Sequence, residues 1–171
     1  MENTCCSCLK PKAKLTCQLC ESAVCKNCAQ FLEEGQFSFL AQVPAELNHI
    51  LYCQNCYEQT VAGPLADYQA MLEKAKEILV YESHQGKETR LLKRIEKPVH
   101  VKDCPDREEA LLRLAFFALQ AGYNAIIDVD LKSAKVRTGS YQTHMWSGSG
   151  IPAQVTENRI VKDRSFWHNP N

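Results

Sequence analysis

Four Cys-x-x-Cys pairs stand in the first third of the chain: Cys5/Cys8, Cys17/Cys20, Cys25/Cys28 and Cys53/Cys56, with 8, 4 and 24 residues between them. One such pair is ambiguous, since it serves redox chemistry, half a metal site or nothing at all. Four in order supply eight thiols, the requirement of two tetrahedral four-cysteine zinc sites. Thiolate sulfur is a soft ligand, and a two-residue gap lets one tight turn offer both sulfurs to one ion. The start, Met1-Glu2-Asn3-Thr4, has neither the charged residues nor the apolar run of a secretory leader. The ten cysteines are therefore expected in a reducing, cytoplasmic setting, as metal ligands and not as disulfides.

Two pairings of the pairs are open. Sequential pairing gives two successive ribbons. Interleaved pairing joins Cys5, Cys8, Cys25 and Cys28 on one zinc and Cys17, Cys20, Cys53 and Cys56 on the other. Only Glu21-Ser22-Ala23-Val24 separates the second pair from the third. So short a link holds the middle pairs side by side, facing different ions, and favours interleaving. Cys6 lies inside the first pair and competes with Cys5, but the regular spacing favours Cys5. His49, four residues before Cys53, is a ligand only if a thiol goes unused.

This spacing, with the closing run Ile50-Leu51-Tyr52-Cys53-Gln54-Asn55-Cys56-Tyr57-Glu58, resembles the FYVE-type zinc finger. The resemblance covers about a third of the chain and implies a cross-brace of two zinc ions. RING fingers place a His soon after the third cysteine, LIM domains have a shorter central link, and PHD fingers usually have His where Cys25 stands. FYVE domains that bind phosphatidylinositol 3-phosphate carry an Arg/Lys-His-His-Cys-Arg cluster, whereas this chain reads Lys14-Leu15-Thr16-Cys17-Gln18. Lys10, Lys12 and Lys14 alternate before it and read as solvated. Residues 1–62 hold four Lys against six Glu, and eight thiolates around two dications add roughly −4. Such a finger suits a protein partner better than phosphate, nucleic acid or a stable membrane attachment.

Between Cys28 and Cys53, Phe37, Leu40, Val43 and Ile50 are expected to fill a small core. From Gly63 the period changes: Leu65, Tyr68, Leu72, Ala75 and Leu79 make one helical stripe after Pro64, predicting a connecting helix over 63–86. The second domain is expected over 87–156, with strands at Thr89–Ile95 and Val99–Val101. A helix follows from about Asp106 to Ala121, then a strand Ala125–Leu131 and strand structure from Val136 to Val155. Residues 157–171 read as a polar tail with Phe166-Trp167 as its anchors. Strand, helix, strand, strand gives the α+β class. Gln120-Ala121-Gly122-Tyr123-Asn124-Ala125-Ile126-Ile127-Asp128-Val129 and Trp146-Ser147-Gly148-Ser149-Gly150-Ile151-Pro152-Ala153 resemble the YbjQ-like family, once labelled heavy-metal-binding, whose members tend to form rings. The helix Ala110–Leu119 is apolar all round but for Arg113, so a second layer must cover it, from the connecting helix or another subunit in a homo-oligomer.

Chemistry in this half is sparse. His84, His100, Cys104 and His144 lack ligand spacing, and Asp128 with Asp130 reads as a solvated strand face. Cys104 at a helix start, four residues after His100, is the best candidate for a thiol enzyme, opposed by Asp103, Asp106, Glu108 and Glu109. The sequence therefore points to a zinc-binding protein-interaction or scaffolding module and away from an enzyme. RING-type ubiquitin ligation, thiol catalysis at Cys104 and phosphoinositide binding are the competing readings.

Overall fold

The first two cysteine pairs close on themselves in the same way. The amide of Cys5 donates to the carbonyl of Lys10 (2.9 Å) and that of Leu9 to the carbonyl of Cys5 (2.9 Å); Cys17 donates to Ser22 (3.0 Å) and Glu21 to Cys17 (2.9 Å). The residue after each pair sits in the left-handed region, Leu9 at φ 59° and Glu21 at φ 58°. Neither is Gly, so each turn costs about 1–2 kcal/mol that its hydrogen bonds and its sulfur cluster must offset. Strand β1 (Leu15–Thr16) runs into the second turn and β2 (Ala23–Val24) runs out, paired antiparallel.

The computed structural model describes residues 4–156 and forms two compact units, Met1–Ala70 and Met71–Asn171. The tail from 157 and its Phe166-Trp167 anchors lie outside the described residues. In the first unit a second hairpin pairs β3 (Ala29–Phe31) with β4 (Leu51–Cys53). Its core is Leu32, Phe37, Phe39, Leu47, Tyr52 and Val61, while Ile50, expected inside, is 48% exposed. Ile50 lies just before β4, and its carbonyl accepts from Leu32 as part of the hairpin's edge. Tyr52 is wholly buried; its hydroxyl donates to the carbonyl of Glu46 (3.0 Å) and accepts from the amide of His49 (3.1 Å).

Cys53 caps a helical stretch that begins nine residues before the expected connecting helix. It runs as α1 (Gln54–Cys56), a π-helical turn (Tyr57–Val61) and α2 (Ala62–Ala75). Pro64 is therefore inside a helix, not at its start. A proline ring crowds the carbonyl four residues back, here Thr60, and the π turn there loosens that stretch of the ladder. Tyr68 of the stripe packs edge-on against Phe37, with ring centroids 5.2 Å apart. The stripe ends at Ala75. Leu79 is 42% exposed and belongs to a strand, β5 (Leu79–Glu82), so the helix does not reach 86. Leu79 continues the 3-4 spacing by coincidence, while Leu79-Val80-Tyr81 is rich in residues that favour strands.

The second unit has the expected α+β class. Its sheet has the order β5-β7-β8-β6, with β6 (Val99–Cys104), β7 (Ala125–Thr138) and β8 (Tyr141–Ala153). β5 runs parallel to β7; the other pairs are antiparallel. Helix α3 (Arg107–Gln120) is capped by Asp106, whose carboxylate accepts from the amide of Glu109 (2.7 Å). It lays Ala110, Leu114 and Ala118 on Val101, Cys104, Ile126 and Val129. On the opposite face Leu92 joins Ala125, Ile127, Ala153 and Val155. Leu92 comes from 89–95, expected as a strand but built of turns. Arg94 fixes that segment, binding Asp128 through Nη2–Oδ1 (2.9 Å) and a second contact from Nε, with Nη1 on the carbonyl of Leu92 (3.2 Å).

Two bulges bend this sheet. Asp128 (φ 52°) lies where the β7–β8 register shifts, and Asp103 (φ 54°) where the β6–β8 register shifts. Aspartate tolerates the left-handed region better than most side chains. Asp128 is thereby turned to Arg94 while Asp130 pairs with Lys132 (3.0 Å), so the two carboxylates serve different partners. β8 passes the bulge of β7 closely. A Cβ on Gly148 would lie 2.6 Å from the carbonyl oxygen of Asp130, and one on Gly150 2.7 Å from Ile126. Gly148→Ala is expected to destabilise the second unit by about 1–3 kcal/mol in urea unfolding. Asp103→Gly, which relieves a strained φ, should leave stability equal or higher.

Candidate metal centre

The eight paired cysteines meet as two groups: Cys5, Cys8, Cys25 and Cys28, and Cys17, Cys20, Cys53 and Cys56. The first pair thus joins the third and the second joins the fourth, which is the interleaved order. Within each group all four sulfurs lie within 4.8 Å of one another. Cys8 and Cys25 are 3.7 Å apart and Cys20 and Cys53 3.9 Å. A tetrahedron of sulfurs about 2.3 Å from a central zinc has edges of about 3.8 Å. A disulfide needs about 2.05 Å, and all ten thiols are free. Each group can hold one metal ion, and the donor set and spacing are compatible with zinc.

The electrostatics agree with the need for a cation. The backbone amides of Cys8 and Cys25, the latter 3.3 Å from the sulfur, bring the Cys5 thiol down to about 6. A hydrogen bond from Ser22 brings Cys20 down to about 6. Their neighbours move the other way: hydrogen bonding to Cys25 and Cys8 pushes Cys28 up to about 12, and burial pushes Cys53 and Cys56 up. Sulfurs this close cannot all ionise by themselves, whereas a dication lets them do so together. Cys53 and Cys56 also sit at a helix N-terminus, whose dipole favours negative sulfur.

Gln18 is a participant that the sequence did not announce. Its side-chain oxygen accepts from the amides of Ile50 (2.7 Å) and Leu51 (3.0 Å), and its own amide donates to Leu51 (2.9 Å). It clasps the second cysteine turn to the strand that carries Cys53. Nothing local marks a glutamine for this, because its partners are 32 and 33 residues away.

The remaining candidates stay outside both groups. Cys6 is exposed, and the ring of His49 packs on Tyr52 with centroids 5.9 Å apart. His84 lies 3.7 Å from Glu82, and His100 and His144 are exposed on β6 and β8. Cys104 is wholly buried, turned into the core by the bulge at Asp103, and its sulfur donates weakly to the carbonyl of Lys102 (3.6 Å). Burial raises its thiol, Asp103, Asp106 and Glu109 add to the rise, and Arg113 opposes it. His100, next to Val101 on the strand, is exposed while Val101 is buried. Among the described residues no helix is long and apolar enough to cross a membrane. Compared with protein-family models, curated proteins and solved structures, the chain matches none.

Two outcomes follow for the thiols. In zinc-loaded chain at pH 8, a thiol reagent should consume Cys6 and leave Cys104 untouched until the second unit unfolds. Because the folded Cys104 thiol lies above its unfolded range, stability of that unit is complete below about pH 8.5 and declines as pH rises further. A Cys104→Ala variant should flatten that alkaline limb. Gln18→Ala should cost about 1–2 kcal/mol of the finger's stability, read from chelator titrations.

Proposed function

We propose that the chain is a zinc-stabilised, cytoplasmic protein-interaction module: a FYVE-like cross-brace finger followed by a YbjQ-like α+β unit, with a scaffolding and not a catalytic role. The observation that carries this reading is the pair of closed four-cysteine groups. Four thiolates fill a tetrahedral shell and leave no position for water or substrate, as in structural zinc sites. Burial of Cys104 speaks against thiol chemistry.

Zinc in this reading is held by Cys5, Cys8, Cys25 and Cys28, and by Cys17, Cys20, Cys53 and Cys56; when bound it supplies folding free energy, roughly 10–16 kcal/mol per site in small finger peptides. Phosphoinositide recognition has no support from the residues after Cys17. Where lipid-binding FYVE domains carry Arg, this chain has Gln18, which is engaged with its own backbone. The apolar helix α3 supports homo-oligomer formation only in part, since none of its apolar side chains is fully exposed.

Elemental analysis of purified protein should find two zinc ions per chain; one or none overturns the reading. Stripping them should unfold residues 1–70 and leave the sheet of the second unit protected in hydrogen exchange, and acid should release zinc as thiols take up protons. Vesicles carrying phosphatidylinositol 3-phosphate should not sediment the protein. Partner capture by intact chain, lost in Cys17→Ser/Cys20→Ser, would support the interaction role, and vesicle binding of that lipid would refute it.

A further inference from the structure

The β7–β8 hairpin outgrows its sheet. β5 pairs with β7 only as far as Val129, and β6 pairs with β8 only from Trp146. Beyond these points no third strand pairs with them among the described residues, from Ala134↔Met145 to Thr138↔Tyr141, closed by a two-residue turn with Gly139 at φ 62°. Five residues of strand make an arm about 17 Å long. A two-stranded ribbon is marginal in water by itself. The arm's outer edges are bare backbone, which in sheets is a template for another strand.

Its side chains say which strand. Alternation puts Lys135 and Arg137 on one face, opposite His144 and Gln142, and Ala134 and Val136 on the other, opposite Met145 and Thr143. Residues 131–156 contain no Asp or Glu, so Lys132, Lys135 and Arg137 form a purely cationic segment. Lys132 is joined to Asp130 at the base of the arm, while Lys135 and Arg137 are exposed and meet no carboxylate among the described residues. Val136 is 38% exposed and Tyr141 80%. Lysine on a bare edge repels neutral or basic strands; to an acidic strand the same charges are attractive.

We propose that the free edge of β7 from Ala134 to Thr138 takes an extended acidic segment of a partner protein as an added strand, with carboxylates beside Lys135 and Arg137 and apolar side chains beside Ala134 and Val136. The added residues stand directly across from those of β7, with Cβ atoms about 4.5–5.5 Å away. The preferred partner therefore alternates acidic and apolar residues. Duplex nucleic acid would use the charges but neither the backbone edge nor the apolar face. This site lies wholly in 125–153 and goes beyond the zinc-dependent reading, so either can fail without the other.

The test uses full-length, zinc-loaded chain and fluorescein-labelled peptides of roughly seven residues, long enough to match the arm. One peptide alternates Glu and Val; a second has the same composition in two blocks; a third is the alternating peptide N-methylated on one edge. Anisotropy at low salt should show saturable binding of the first, at least about tenfold weaker binding of the others, and loss of binding in Lys135→Glu/Arg137→Glu. Equal binding of the alternating and blocked peptides would reduce the site to general anion attraction and overturn the proposal. So would tolerance of N-methylation, or arm-dependent binding of duplex DNA tighter than the alternating peptide. Light scattering showing that two arms occupy each other in the free protein would also overturn it, replacing the partner with a second copy.

Discussion

The first unit is arranged around eight sulfurs gathered in two groups, whose mutual repulsion a cation in each would relieve. Four thiols within 4.8 Å cannot all be thiolates unless positive charge sits among them. The local backbone prepares for that charge with amides aimed at Cys5 and a helix start at Cys53. The regular elements of the unit are slight. Its strands are two or three residues long, and two of its turns keep non-glycine residues in the left-handed region. A metal ion in each group would make such short elements sufficient, by fixing each turn at its sulfurs.

The second unit solves the opposite problem. It has enough apolar surface for a conventional core, and its sheet is shaped by where the chain is too long for its ladder. Extra residues at Asp103 and Asp128 re-aim their strands, one sending Cys104 inward and the other presenting a carboxylate to Arg94. Glycines at 148 and 150 give the room that the second bulge takes away. The buried thiol, the Arg94 ion pair and the small residues of β8 are thus linked consequences of two irregularities in one sheet.

Legibility in the sequence follows the range of the interaction. The knuckles are set by spacing along the chain, so all eight cysteines and the preference for interleaving could be read from residue numbers. Helix α3 was legible for a similar reason: Asp106, the acidic first turn and Gly122 are local signals. The clasp of Gln18, the bulges and strand β5 were not, because each depends on a partner roughly twenty to fifty residues away. Leu79 shows the limit most plainly. Its spacing fits a helix, and only pairing with Ala125 makes it a strand. The core expected around Ile50 failed in the same manner, since hairpin geometry decides which residues face outward.

The direct passage from the last cysteine pair into the helix has a consequence for the order in which the chain folds. Starting a helix is its unfavourable step, because several residues must be fixed before the first hydrogen bond rewards them. The sequence that follows is poorly suited to starting one, with Thr60, Val61, Gly63 and Pro64 close together. Gathering Cys53 and Cys56 on one ion would fix the four residues of that first turn before any ladder exists. With an ion in that group, capture by the last knuckle and nucleation of the helix would become a single event, and the helix would inherit its timing from the arrival of the ion.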